Sequence, residues 1–233
     1  MRIILSKKTK TILPFFRALI IIFVFAAVIT LMPSKKVPVL LHISNTVIID
    51  PGHGGTDGGA SGTDGTLEKD VNLQIALCLR DVLTINGYNV VMTRTDEYPD
   101  GYSGRFIKKK ELGMRLDIAN KHPNAIFISI HQNNFDQPQY SGFTSFYGKT
   151  EGSYELAGLI QKSVTGAMQP DNTRTIKKIN GVYLFDRLKN VSVLLECGFL
   201  SNGGELEKLK DPVYQTQLSF CICNGITQFL SGE

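Results

Sequence analysis

The first 36 residues contain no acidic side chain, and histidine and cysteine are sparse throughout, with four of each in 233 residues. Residues 1–36 hold seven Lys and Arg, more than the whole net charge of +4, so residues 37–233 carry −3. A mildly acidic body argues against nucleic-acid binding, whose affinity rests on clustered cations. The cysteines form no framework: Cys221 and Cys223 are two apart in a helical pattern and point in different directions. Cys78 lies in an apolar run and reads as packing, and the spacing of Cys197 from the others selects no disulfide partner. Neither GxGxxG nor GxxxxGK[ST] is present, which leaves the phosphate-cradling loops of nucleotide enzymes without a candidate. There is no internal repeat and no low-complexity tract.

The acid-free start (1–17) is followed by ALIIIFVFAAVITLM, Ala18 to Met32, which has no charge. Basic flank, apolar run and then polar chain is the order of an export signal, but no A-x-A cleavage site follows. With Thr11 to Phe16 counted and Arg17 snorkelling, the segment is long enough for an uncleaved membrane anchor. Signal or anchor, it places the body outside the cytoplasm. Pro33 to Asn45 reads as a linker, and 46–233 as the domain it carries.

Within that domain short apolar strands alternate with helices. Strands are expected at Thr46–Asp50, Asn89–Thr93, Ala125–Ile130, Gly142–Tyr147, Val182–Phe185 and Val191–Leu195. Helices are expected at Glu68–Ile85, Glu111–Lys121, Ser153–Met168 and Gln215–Leu230; in the first, Val71, Ile75, Leu79 and Val82 share one face. The pattern predicts an α/β fold, a single mainly parallel sheet of roughly six strands with helices on both faces. In such a sheet the active crevice lies beyond the carboxyl ends of the strands.

Three strand ends carry unusual residues: Asp50-Pro51-Gly52-His53, Ser129-Ile130-His131 and Leu195-Glu196-Cys197. Glu68 opens the first helix and starts near the same edge. Two histidines and a carboxylate are the donor set of a catalytic zinc site with an open fourth position. A helix N-terminus would keep Glu68 ionised, as a ligand must be. Glu196 follows an apolar strand, where desolvation raises a carboxyl pKa toward that of a general base. Each residue also has a plainer reading. His53 serves equally as a turn residue, Glu68 as a helix-start acid, and His131 as a ring satisfied by backbone. Glu196 could pair with Arg94 or Arg115, which read otherwise as structural braces. His42, in the linker, and His122, at a helix end, are not site candidates, and Asn133 and Asn202 are left unassigned.

IIDPGHGG, the helix start EKDVNL, SIHQNN and LLECGFLSN, in this order and on these elements, resemble the zinc-dependent N-acetylmuramoyl-L-alanine amidases of the amidase-3 type. The resemblance runs from about Val47 to Leu230. It implies one Zn2+ bound by His53, Glu68 and His131, Glu196 as catalytic acid/base, and peptidoglycan as substrate. The lone N-terminal hydrophobic segment and the lack of wall-binding repeats are similar to the spore-cortex members of that family. An accessory protein partner is compatible with this pattern and unidentified by it. One departure is Asn134, where many relatives have a small residue; it falls on the cleft wall. Ten residues separate His131 from Gly142, too few for the occluding helical insert of some relatives. Another zinc hydrolase, a carboxypeptidase or deacetylase, and a non-catalytic wall-binding protein remain as alternatives at this level.

Overall fold

A computed structural model describes residues 43–232 of the chain. The expectations for the basic start, for Ala18 to Met32, for most of the linker and for His42 fall outside the described residues. Among the described residues, no helix is long and apolar enough to cross a membrane.

Six strands form one sheet: β1 (Thr46–Pro51), β2 (Asn89–Met92), β3 (Ile126–Asn133), β4 (Thr144–Tyr147), β5 (Lys177–Lys178) and β6 (Ser192–Phe199). Their order is β2-β1-β3-β6-β4-β5. β2, β1, β3 and β6 are mutually parallel, whereas β4 pairs antiparallel with β6 and β5 follows β4. The antiparallel turn has a simple cause. The chain leaves β3 at the carboxyl edge, and the loop to β4 contains no helix that could carry it back across the sheet. β3 and β6 lie at the centre with both faces covered, so IFISI and SVLL read as continuous apolar runs rather than alternating ones.

Helices α1 (Glu68–Ile85), α3 (Ser153–Met168) and α5 (Pro212–Ser231) cover one face, and α2 (Lys108–Lys121) covers the other. On α1, Val71, Ile75, Leu79 and Val82 point inward as the periodicity requires, and with Ile49, Ile128, Ile130 and Leu195 they make the main core. Burial of each such side chain stabilises by about 1.5–3 kcal/mol. A smaller cluster on the opposite face joins Ile48, Phe127 and Ala119 to Leu184, Phe185 and Leu188.

Two expectations need correction. Val182–Phe185 is not a strand; the sixth strand is the two-residue β5, and Leu184 and Phe185 instead plug the α2 face of the sheet, with Phe185 edge-on to Phe127 at 6.1 Å. Apolar content alone did not separate a buried turn from a strand. A short helix, α4 (Gly203–Lys210), also precedes α5, and α2 begins at Lys108 rather than Glu111. Asn202 caps α4 by accepting from the Glu205 backbone N–H at 3.1 Å, which assigns it a structural role. All four cysteines are free thiols.

Candidate metal centre and catalytic cleft

The parallel strands end at one edge, and the expected polar residues converge there. β1 runs out into the glycine loop carrying His53, β3 delivers His131, and Glu68 is the first residue of α1. Glu68 sits between the two rings. Its Oε2 lies 3.2 Å from His53 Nε2, and its Oε1 lies 3.0 Å from His131 Nδ1. One donor atom from each of the three residues falls within 4.8 Å of the others. Zinc bonds of about 2.0–2.2 Å in a tetrahedral site put donors about 3.4 Å apart, so this donor set fits one such ion.

The environment of Glu68 is built for a carboxylate. The backbone N–H groups of Ala60 and Gln132 donate to it at 2.9 and 3.1 Å, and Asn72, one helical turn along α1, donates at 3.3 Å. Burial opposes its ionisation, but the hydrogen bonds and charge of His131 and His53 outweigh this and hold it well below the usual carboxylate range. Asn72 also reaches the Gly52 carbonyl at 3.1 Å and accepts from Gln132 at 3.2 Å, tying α1, the glycine loop and β3 together.

His53 is held from behind. Its backbone adopts φ 60°, a left-handed conformation that costs a non-glycine residue about 1–2 kcal/mol. The loop after it closes through reciprocal Gly54–Asp57 backbone bonds of 2.9 and 3.0 Å. Asp57 Oδ1 then meets His53 Nδ1 at 3.0 Å, and Asp57 Oδ2 meets Lys108 Nζ at 2.9 Å. Burial disfavours the imidazolium, yet Glu68 and Asp57 on either side raise the His53 pKa above its ordinary value. The glycines make room for these groups: a Cβ on Gly52 would lie 2.3 Å from the His131 ring, and one on Gly59 would lie 2.5 Å from Glu68 Oε2.

Arg94 and Arg115 brace the loop, as the sequence suggested, and neither pairs with Glu196. Arg94 donates to the carbonyls of Pro51, Gly52, Lys69 and Asp96 at 2.9–3.1 Å. Arg115 bonds the Pro51 and His53 carbonyls at 2.6 and 2.5 Å and pairs with Asp50 at 2.6 Å and with Glu111. Thr93 and Ser129 complete the shell of Asp50, each at 2.7 Å.

Glu196 stands beside His131 in the β3–β6 register. Its Oε2 is buried and has no hydrogen-bond partner. Desolvation pushes its pKa up to about 7, with Glu68 adding to the rise and the two histidines opposing it. A carboxyl in that state suits proton exchange near neutral pH.

From His53 and His131 a cleft of about 400 Å³ extends between Lys108 and Leu112 of α2 and the Val182–Phe185 turn. The β3–β4 loop carries no helix and is not part of this lining; its Phe135 and Tyr140 pack on Phe199 at 5.4 and 6.3 Å. Asn134, expected on the cleft wall, lies outside this lining and donates to the Ser61 carbonyl at 3.3 Å. Sequence reading missed Asp57, Asn72 and Lys108. The signal for Asn72 was its placement four residues after Glu68 on the same helix face; Asp57 and Lys108 meet only in three dimensions.

A family model described as N-acetylmuramoyl-L-alanine amidase matches residues 47–228. The chain is 36% identical over 233 residues to the germination-specific N-acetylmuramoyl-L-alanine amidase of Bacillus subtilis, covering 97% of each. Its fold is similar to the CwlD amidase from Clostridioides difficile, solved in complex with the GerS lipoprotein. That match has a TM-score of 0.73 and 36% identity, over 82% of this chain and 100% of that one. It is also similar to the amidase AmiC2 of Nostoc punctiforme, with a TM-score of 0.69 and 29% identity over 81% and 99%. Sequence, fold and the cluster at the strand ends agree, and the chain belongs to the N-acetylmuramoyl-L-alanine amidase family, whose reaction hydrolyses the amide between N-acetylmuramic acid and L-alanine.

Proposed function

We propose that this hydrolysis runs on one zinc ion held by His53, Glu68 and His131, with Glu196 as the acid/base. When bound, zinc supplies electrophilic polarisation of the scissile carbonyl and acidification of water. The residues of the chain do the rest. Glu196 takes the proton of the attacking water and delivers it to the alanine nitrogen as the carbon–nitrogen bond breaks. The products are the lactyl carboxylate of the sugar and a stem peptide with a free amino terminus. The observation that carries the reading is a buried, unpartnered Glu196 Oε2 next in register to His131, one of three donors clustered within 4.8 Å.

The cleft beside α2 opens next to the metal centre, and its mixed lining of Lys108, Leu112, Tyr183 and Leu184 suits a sugar–peptide junction. Similarity across 97% of a germination-specific amidase supports a role in the spore cortex, stripping stem peptides ahead of muramic-lactam formation by a separate deacetylase. The lipoprotein bound to the C. difficile relative supports an accessory protein as partner. Residues 18–32 act as the signal or membrane anchor, 33–45 as linker, and 46–233 as the catalytic domain, placed outside the cytoplasm around the developing spore.

Metal analysis combined with muropeptide release tests this. Wild type should carry one zinc and free stem peptides that begin with alanine; Glu196→Ala should keep the zinc and release none. Shortened stem peptides or deacetylated sugars as products would instead place the chain among other zinc hydrolases. Glycan binding with no product would make it a wall-binding protein.

A further inference from the structure

Glu196 has neighbours on both sides. In the parallel register it faces His131 of β3, and in the antiparallel register Thr144 of β4 stands directly opposite it. Opposed residues in an antiparallel pair lie on the same face of the sheet, with Cβ atoms about 4.5–5.5 Å apart. Thr144 is 1% exposed, and its Oγ1, like Glu196 Oε2, is buried without a hydrogen-bond partner. Two buried polar groups that both lack partners, in a molecule that satisfies most of its interior, call for an explanation. The neighbours of Thr144 along the strand do not supply one. Phe143 joins the core on the opposite face, and the Ser145 backbone N–H is taken by Gln161 at 2.7 Å.

We propose that Thr144 is the positioning residue for Glu196: its hydroxyl donates to the ionised carboxylate and fixes the orientation in which Glu196 takes up and returns the proton. A carboxylate accepts and a hydroxyl donates one proton while free to rotate. No atom is exchanged; the hydroxyl keeps its hydrogen through the cycle. The inference rests on the reading of Glu196 as the acid/base. It accounts for a threonine, where valine would fill the same space, at a buried position whose hydroxyl bonds neither Glu196 nor any other group in this structure and is free to turn toward the carboxylate once that is ionised.

Thr144→Val removes the donor at constant shape, Thr144→Ser keeps it, and Glu196→Gln serves as the reference. With zinc-loaded protein and a muropeptide substrate, Thr144→Val should lower kcat about tenfold or more, the size expected for loss of a hydrogen bond to a charged group. KM, zinc content and melting temperature should stay near wild type, and Thr144→Ser should restore kcat. Wild-type kcat in Thr144→Val overturns the proposal, as does a Thr144→Ser variant as slow as the valine one, which would mark a packing role. Should Thr144→Val not fold, Thr144→Ala gives the same readout with less bulk. An inactive Glu196→Gln beside a fully active Thr144→Val removes only the Thr144 role. An active Glu196→Gln removes both readings.

Discussion

Asp57, itself paired with Lys108, illustrates how a residue outside the donor set fixes the properties of one within it. The imidazole of His53 has two nitrogens; Asp57 holds Nδ1 and so leaves Nε2 turned toward Glu68. Such outer carboxylates fix the tautomer and the ring angle of a metal-binding histidine, and losing one costs about 10–100-fold in metal affinity. Asp57→Asn should therefore weaken zinc binding within that range, read by competition with a chromophoric chelator, with circular dichroism unchanged. An unaltered affinity would reduce Asp57 to a loop fastener. Glu196 shows the complementary effect, in which burial, with the charge of Glu68 adding to it, raises a carboxyl pKa. A general base works only when ionised, so turnover should fall as pH drops through its pKa. A cation bound at the neighbouring donors would lower that pKa, since a nearby positive charge favours the carboxylate. A pH profile of kcat/KM should show the acidic limb, and the residual rate of Glu196→Gln should lack it.

At the scale of elements, α2 is the part whose position in sequence says least about its task. It lies far along the chain from the glycine loop, yet Arg115 fastens β1 and the His53 backbone through Asp50 and two carbonyls. Both members of the Arg115–Asp50 pair are 2% exposed. Removing one partner of a buried pair leaves an uncompensated charge, a loss of about 3–5 kcal/mol. Arg115→Met should lower unfolding stability by that amount in urea titration, whereas a loss under 1 kcal/mol would mean that the loop finds other support. The pair also gives a pH signature. Burial works against the Asp50 carboxylate, but Arg115, Thr93 and Ser129 prevail and depress its pKa. Its contribution is thus complete above the unfolded value of about 3.9 and is lost as pH falls below that. The contact of α5 with α3 depends on size instead. A Cβ on Gly225 would lie 2.6 Å from Ile160 Cα, backbone that cannot swing aside. Gly225→Ala should cost about 1–3 kcal/mol of overpacking, visible as a lowered urea midpoint.

Over the whole molecule, most of the fold was legible because the parallel strands and α1 carry their periodicity locally. The β4 strand was legible but its antiparallel direction was not, and neither were the β5 strand and the Leu184–Phe185 plug, which are fixed by what they pack against rather than by their own residues. The site candidates were legible for another reason: fold geometry gathers the carboxyl ends of parallel strands at one edge, so His53, His131 and Glu196 needed no local clue beyond their place at the end of an apolar run. Their supports, Asp57, Lys108 and Thr144, have none. This separation of core from site has a thermodynamic consequence. The main core from Val47 to Ile226 is complete without any ligand, and the donor cluster sits at its rim. Metal-free protein should therefore remain folded, unlike a zinc finger, and zinc should add stability by mass action, about 2.7 kcal/mol at a free concentration 100 times Kd. Binding requires neutral imidazoles, while Glu68 and Asp57 raise the His53 pKa, so protons compete from a higher pH than for an ordinary histidine. The zinc-dependent rise in melting temperature should be full above the His53 titration and fade as pH falls through it. Calorimetry with zinc and with chelator, at stepped pH, measures the difference. Chelated protein that shows no cooperative transition would place the ion inside the folding core rather than at its edge.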